Sequence, residues 1–300
     1  MNVLLTSATG YIGSAVAKAL QTEGHQVIGI ARSESSAQRL AASGIQPYRG
    51  DLTDAASLHQ AAQMADAVIH TAATNDANMA SVDRRAVETI LAALEGTDKP
   101  FVYTSGIWVM GDTAGQVANE TFPLYPSPIV AWRPAIEDLV LAAAQQGVRS
   151  LVIRPALVYG QGGGLVAMLM QAGRDRNSVP VVGDGLNAWS LVHVEDLANL
   201  YVKAMEQAPA GTLLIGASGE YLPLKTITLA VARTAGVGDR IHSLTLDEAR
   251  ETWGLLADAI ALDQRVSGER ARQLLNWVPS APSVLEELSN GSYRQAAIAA

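Results

Sequence analysis

The sequence predicts a doubly wound α/β protein, a parallel sheet with crossover helices that carries a smaller, mainly helical C-terminal lobe. Three observations predict it. Short β-rich runs alternate with helical stretches over the first half of the chain. A glycine turn follows the first run and opens the first helical stretch. After Pro155 the alternation gives way to helical stretches with scattered arginines.

Val3 to Thr6 read as a buried strand, and Ile12, Val16, Ala19 and Leu20 mark one face of a helix that Gly24 ends. Further strands are expected at Val27 to Ala31, around Tyr48, and at Ala67 to Thr71, Phe101 to Ser105 and Leu151 to Arg154. Helical stretches lie between them near 34–43, 54–64, 80–95 and 134–146. Gly160 to Gly164 reads as a flexible breaker before a short helical run to Arg174. Leu197 to Met205 is helical, and Gly211 to Ile215 looks like one more sheet strand. The expected division is a dinucleotide-binding Rossmann domain over 1–160, rejoined by 187–217, and a substrate lobe from 161–186 and 218–300. The tail from Asn290 to Ala300 is expected to fray.

Composition narrows the function classes. The 300 residues include 21 Lys plus Arg against 29 Asp plus Glu, a formal net charge of −8, and no cysteine. That balance offers no basic footprint for nucleic acid or anionic lipid. The missing thiols exclude a disulfide framework, a thiolate metal site and a catalytic cysteine, and no metal site is expected. No apolar run has the length of a membrane span, and no Lys or Arg precedes Lys18 as a signal peptide would require. A cytoplasmic protein acting on a small molecule is the expectation.

The sharpest motif is Thr6-Ser7-Ala8-Thr9-Gly10-Tyr11-Ile12-Gly13, set between the first strand and the first helix. Such a turn aims free backbone N–H groups and the positive helix end at a phosphate. Gly10 permits close approach of a pyrophosphate and Gly13 tight packing of helix on sheet. Ser7, Thr9, Tyr11 and Ile12 belong to the same cofactor turn. The second strand ends in Ala31-Arg32-Ser33, without the carboxylate that would accept the ribose hydroxyls of NAD. Arg32 can instead pair with a 2′-phosphate and Ser33 can add a hydroxyl, so NADP is favoured over NAD.

The glycine turn, Gly50-Asp51-Leu52, His70-Thr-Ala-Ala73, Tyr103-Thr-Ser105, Arg154-Pro-Ala-Leu-Val-Tyr-Gly160 and Val192-His-Val-Glu-Asp196 together resemble the NAD(P)-dependent epimerase/dehydratase family. This is the extended branch of the short-chain dehydrogenase/reductases, and the likeness covers almost the whole chain. It implies that Asp51 and Leu52 contact adenine, and that Ala72 and Ala73 line the ribose–phosphate path. It also places Pro155, Leu157 and Val158 beside the nicotinamide and Thr104 with the cofactor. His193 and Asp196 read as packing and helix-start residues. A homodimer through two sheet-domain helices is implied by the same likeness.

The catalytic positions depart from that family. Members use a Ser/Thr that polarises the substrate carbonyl and a Tyr-x-x-x-Lys pair one helical turn apart. Counted outward from Glu137, the tyrosine position holds Ile129, the lysine position Arg133 and the Ser/Thr position Gly106. Pro134 further disfavours the usual helical turn at Arg133. Ser105 remains to polarise a carbonyl, Arg133 to hold the ribose, and Tyr125 to act as a displaced acid, with Tyr159 a further candidate. The resemblance implies that Trp108, Met110, Tyr159 and Trp189 lie in segments that reach the cleft, where they are expected to form an apolar substrate pocket. Trp189 stands where nucleotide-sugar members carry a basic residue.

These residues favour an NADPH-dependent reductase of a small, largely apolar carbonyl, imine or enone with a non-standard proton source. A non-catalytic NADP(H)-binding regulatory or interaction protein is the alternative. A sugar-nucleotide epimerase or dehydratase is disfavoured by Ile129 and Trp189. Replacing Arg32 with alanine should weaken NADPH binding by about 10–100-fold and leave NADH binding little changed, as titration with each cofactor will show.

Overall fold

Val3 and Leu5 point to one side of the first strand and Leu4 to the other, and all three are buried, so this strand needs cover on both faces. In the computed structural model, which describes residues 1–74 and 76–294, it is an inner strand of a seven-stranded sheet. The strands are β1 (Asn2–Thr6), β2 (Gln26–Ala31), β3 (Gln46–Arg49), β4 (Ala67–His70), β5 (Pro100–Thr104), β6 (Arg149–Pro155) and β7 (Thr212–Gly216). Their order is β3-β2-β1-β4-β5-β6-β7, with every neighbouring pair parallel. The order reverses between β1 and β4, which opens a crevice at the carboxyl ends of those strands.

Helices α1 (Tyr11–Thr22), α2 (Glu34–Ala42), α3 (Ala55–Met64), α4 (Met79–Leu94) and α5 (Arg133–Ala142) supply the cover. Next come α6 (Gly164–Arg176), in the lobe, and α7 (Val194–Gln207), which returns to the sheet. Val16 and Leu20 of α1 pack with Leu197 and Leu200 of α7 on the face of Val3 and Leu5. Leu58, Ile90 and Val140, from α3, α4 and α5, pack on the face of Leu4 and Phe101. No helix among the described residues is long and apolar enough to cross a membrane.

The lobe has its own core around Tyr159, Met170, Trp189, Val231 and Tyr293. It also contains more sheet than expected. Val179–Val182 pairs with Ile241–Leu244, and Ala188–His193, from the segment expected to rejoin the Rossmann domain, pairs with Leu157–Tyr159 and Tyr221–Pro223 and packs with the lobe core. In the opposite sense, Ala271, Leu275 and Trp277 pack with the sheet domain's core. The expected fraying at Asn290 is not seen: helix Val284–Asn290 is followed by Tyr293, which is 1% exposed. Residues 295–300 of that tail lie outside the described residues.

One buried ion pair ties the sheet to its outer layer beneath the crevice. Arg154 on β6 donates Nε to both carboxylate oxygens of Glu137 on α5, at 3.0 and 3.2 Å, and Nη2 to Oε2 at 2.5 Å. Both side chains are almost fully buried. The bidentate geometry offsets the cost of removing two charges from water. Glu137→Ala strands the guanidinium and should lower stability by about 3–5 kcal/mol, read as a lower denaturant midpoint with an unchanged slope.

Candidate active site

The crevice begins at the turn between β1 and α1. Ser7 takes a left-handed conformation, φ 58°, and its carbonyl accepts the Gly10 N–H at 2.8 Å. A Cβ on Gly13 would lie 2.0 Å from that carbonyl oxygen, so only glycine lets α1 start this close to the strand. No side chain caps α1, whose first-turn N–H groups therefore face the crevice unclaimed by a capping residue. This is an anion site that would fit a pyrophosphate.

Thr6 joins the turn to the opposite wall. Its hydroxyl oxygen accepts the backbone N–H groups of Thr71 and Ala72 at 3.0 and 3.2 Å. With both acceptor positions filled, its proton goes to Nδ1 of His70, 3.0 Å away. Nε2 of His70 then carries the proton that faces Asp83 Oδ1 at 3.0 Å, and Tyr103 donates to Oδ2 at 2.7 Å. Burial opposes the Asp83 charge. Hydrogen bonds from His70 and Tyr103, with the Arg133 charge nearby, nevertheless hold its carboxyl below the usual range. Tyr103 is pushed far up by burial, with the Asp83 charge adding to the rise.

Two cavities flank the glycine turn. The smaller, about 250 Å³, is lined by Ser7, Thr9, Arg32, Asp51, Leu52, Ala72 and Ala73, all expected from the sequence, and by Ile30, Ser36, Arg39, Thr74 and Asp76. Ser33 does not line this cavity. Its hydroxyl caps α2 by accepting the Ser36 N–H at 3.2 Å. Ser36 and Arg39 were missed, although their spacing of three on a helix that starts at Ser33 puts them on one face. The Asp51 carboxyl is held low by hydrogen bonds from Thr53, with the Arg32 charge a smaller contribution.

The larger cavity, about 590 Å³, lies on the other side of the turn. Tyr11, Ile12, Ser105, Gly106, Ile107, Trp108, Val130, Arg133, Pro155, Ala156, Leu157, Val158, Gly164 and Leu165 line it. Arg133 opens α5, with Pro134 inside the first turn where its missing N–H costs nothing. Its Nη1 donates to the Thr104 carbonyl at 2.6 Å and its guanidinium lies 4.8 Å from the Trp132 ring centre. Arg133 Nε, Trp108 Nε1 and Ser105 Oγ are buried without a hydrogen-bond partner. Three groups able to donate are thus concentrated on one cavity.

Other expected residues lie elsewhere. Tyr125 is 71% exposed and outside the cavity lining, so it is not placed to act as an acid. Ile129 sits in a short 3₁₀ turn, Pro128–Val130, in place of the helical turn that would pair it with position 133. Met110 is buried in the sheet core. Trp189 is buried in the lobe with Nε1 on the Ile260 carbonyl at 3.0 Å, and Tyr159 donates to the Pro282 carbonyl at 2.8 Å. The donors of Trp189 and Tyr159 are satisfied by lobe backbone, and none of the three residues lines the larger cavity. The Thr104 hydroxyl pairs with Tyr201 at 2.7 Å. His193 caps α7 by accepting the Glu195 N–H, and Asp196 accepts the N–H groups of Ser280 and Ala281.

Residues 3–216 match the NAD dependent epimerase/dehydratase family. An uncharacterised protein of Schizosaccharomyces pombe is 32% identical over 299 residues, spanning 98% of this chain and 100% of its own length. A 4-hydroxy-2-methyl-3-oxo-4-farnesyl-3,4-dihydroquinoline-1-oxide ketoreductase of Stigmatella aurantiaca is 26% identical over 261 residues, 83% of this chain and 78% of its own. Among solved structures, the UDP-glucose 4-epimerase of Thermus thermophilus in complex with NAD matches with a TM-score of 0.81. It is 20% identical and the match spans 98% of this chain and 99% of that one, a likeness of fold.

Gly13→Ala should leave a folded protein with weakened dinucleotide binding. The turn must shift to relieve the clash, at roughly 1–3 kcal/mol, which corresponds to about a tenfold to hundredfold loss in a cofactor titration.

Proposed function

The chain belongs to the NAD-dependent epimerase/dehydratase family, and from that premise we propose that it is an NADPH-dependent reductase. Its substrate would be a small, largely apolar carbonyl compound, imine or enone, and its proton source something other than a tyrosine–lysine pair. The observation that carries this reading is the larger cavity, where Ser105, Trp108 and Arg133 supply unpartnered donors among Ile12, Ile107, Val130, Leu157 and Leu165.

The glycine turn and the start of α1 would hold the pyrophosphate, with Asp51 and Leu52 at the adenine end. Arg32 and Arg39, with the Ser36 hydroxyl, would pair with a 2′-phosphate. The bound cofactor would supply a hydride from its nicotinamide. Ser105 would donate a hydrogen bond to the substrate's acceptor atom, and Arg133 would favour negative charge on it. A guanidinium keeps its proton at neutral pH, so Arg133 stabilises charge and does not deliver the proton. Water would supply it. The Stigmatella relative, by its name, reduces a ketone on a farnesyl-bearing ring, which agrees with an apolar acceptor site.

A second reading, a non-catalytic NADP(H)-binding protein, is favoured by the outward placement of Tyr125 and by Ile129 in the tyrosine's place. In either reading the protein is taken as cytoplasmic and, by family likeness, dimeric. Purified protein mixed with NADPH and a panel of apolar ketones, imines and enones should show substrate-dependent loss of NADPH absorbance. Tight NADPH binding with no turnover on any of them would support the second reading.

A further inference from the structure

Gly160 to Gly164 has one side chain larger than hydrogen in five residues, so little in its own sequence stiffens it. In the structure it is held from two sides. Tyr11, from the glycine turn, donates to the Gly160 carbonyl at 2.8 Å. Its ring lies so close to Gly163 that a Cβ there would be 2.3 Å from Cε2. From the other side comes the end of the chain. The Tyr293 hydroxyl accepts the Gly160 N–H at 2.8 Å and donates to the Gly163 carbonyl at 2.7 Å. Ser292 Oγ accepts the Gly162 N–H at 3.0 Å. Glu287 Oε2 in turn holds the Ser292 N–H at 3.0 Å and its hydroxyl at 2.5 Å.

The loop so held ends in the active-site wall, because Gly164 and Leu165 line the larger cavity together with Tyr11. None of the strapped residues lines the smaller cavity. We propose that Glu287–Tyr293 is a strap that sets the wall of the larger cavity, and that Tyr293 is a positioning residue for the nicotinamide half of the cofactor. This rests on the reading above that the larger cavity receives the nicotinamide. Tyr293 lines neither of the two cavities. It acts through Gly160 and Gly163: one backbone bond, from the Gly163 N–H to the Gly160 carbonyl at 3.1 Å, closes the loop on itself, and the two tyrosine hydroxyls tie it to the glycine turn and to the end of the chain.

The test uses the full chain and the variants Tyr293→Phe and Tyr293→Ala. Affinities are measured for NADPH and NADH and for the adenosine-half probes 2′,5′-ADP and ADP, with hydrogen exchange at the Gly160 amide read in parallel. Tyr293→Phe should weaken whichever dinucleotide the parent binds better by about tenfold, leave the matching fragment within about twofold, and speed exchange at Gly160. Tyr293→Ala should do the same or more. A general loss of stability would weaken dinucleotide and fragment alike, and that result overturns the proposal, as does a Tyr293→Phe protein with unchanged dinucleotide affinity. If the parent chain binds neither dinucleotide, the proposed function fails. The exchange measurement then decides the strap by itself, and unchanged exchange at Gly160 overturns it.

Discussion

The Ser7 carbonyl is the constraint on which the rest of the molecule is arranged. It closes the turn by accepting the Gly10 N–H and leaves no room for a Cβ at Gly13. The closeness this enforces lets Val16 and Leu20 reach the sheet core and points the start of α1 into the crevice where strand order reverses. The same turn sends Ser7 and Thr9 toward one cavity and Tyr11 and Ile12 toward the other. A chain of net charge −8 repels a polyanionic cofactor at long range, so binding must depend on such local devices. The proposed reading gives that task to the uncapped helix start, Arg32 and Arg39.

Behind the turn, buried polar groups convert a flexible strand end into a fixed surface. Thr6, His70, Asp83 and Tyr103 form one chain of hydrogen bonds in which each named proton has an acceptor. Its output is the placement of the Thr71 and Ala72 backbone, beside the smaller cavity that Ala72 lines. The Asp83 charge also faces Arg133, so the residue in the family's lysine position is electrostatically tied to a buried carboxylate. The Arg154–Glu137 pair lies under the same region. Low-dielectric networks of this kind are costly when incomplete, and the unpartnered donors Ser105, Trp108 and Arg133 stand at a cavity where a ligand can complete them.

The sheet domain was legible because its signals are local. β1 and β5 are continuous apolar runs bounded by turns, and the glycine turn has a fixed spacing. Tyr48 lies within β3 as expected. The lobe was not legible in the same way. Trp189 meets the Ile260 carbonyl and Tyr159 the Pro282 carbonyl, partners 71 and 123 residues away that no periodicity reveals. The resemblance put these aromatics in the cleft, whereas long-range packing took them into the lobe core. For the same reason the glycine loop looked free and the tail frayed, since Tyr293 reaches Gly160 across 133 residues. Arg39 was within reach of the sequence, by its position one turn beyond Ser36 on α2. The departure at Ile129, Arg133 and Gly106 is a reading of residue identity alone, made against the family resemblance.

A structure of the chain with NADPH bound is the most direct measurement of whether this crevice performs reduction without a tyrosine–lysine pair. The expected result has the 2′-phosphate between Arg32 and Arg39 and the nicotinamide in the cavity of Ser105, Trp108 and Arg133, with Ser105 Oγ the hydroxyl nearest the nicotinamide C4. A nicotinamide lying outside that cavity, or a tyrosine hydroxyl brought beside C4 in place of Ser105, would contradict it.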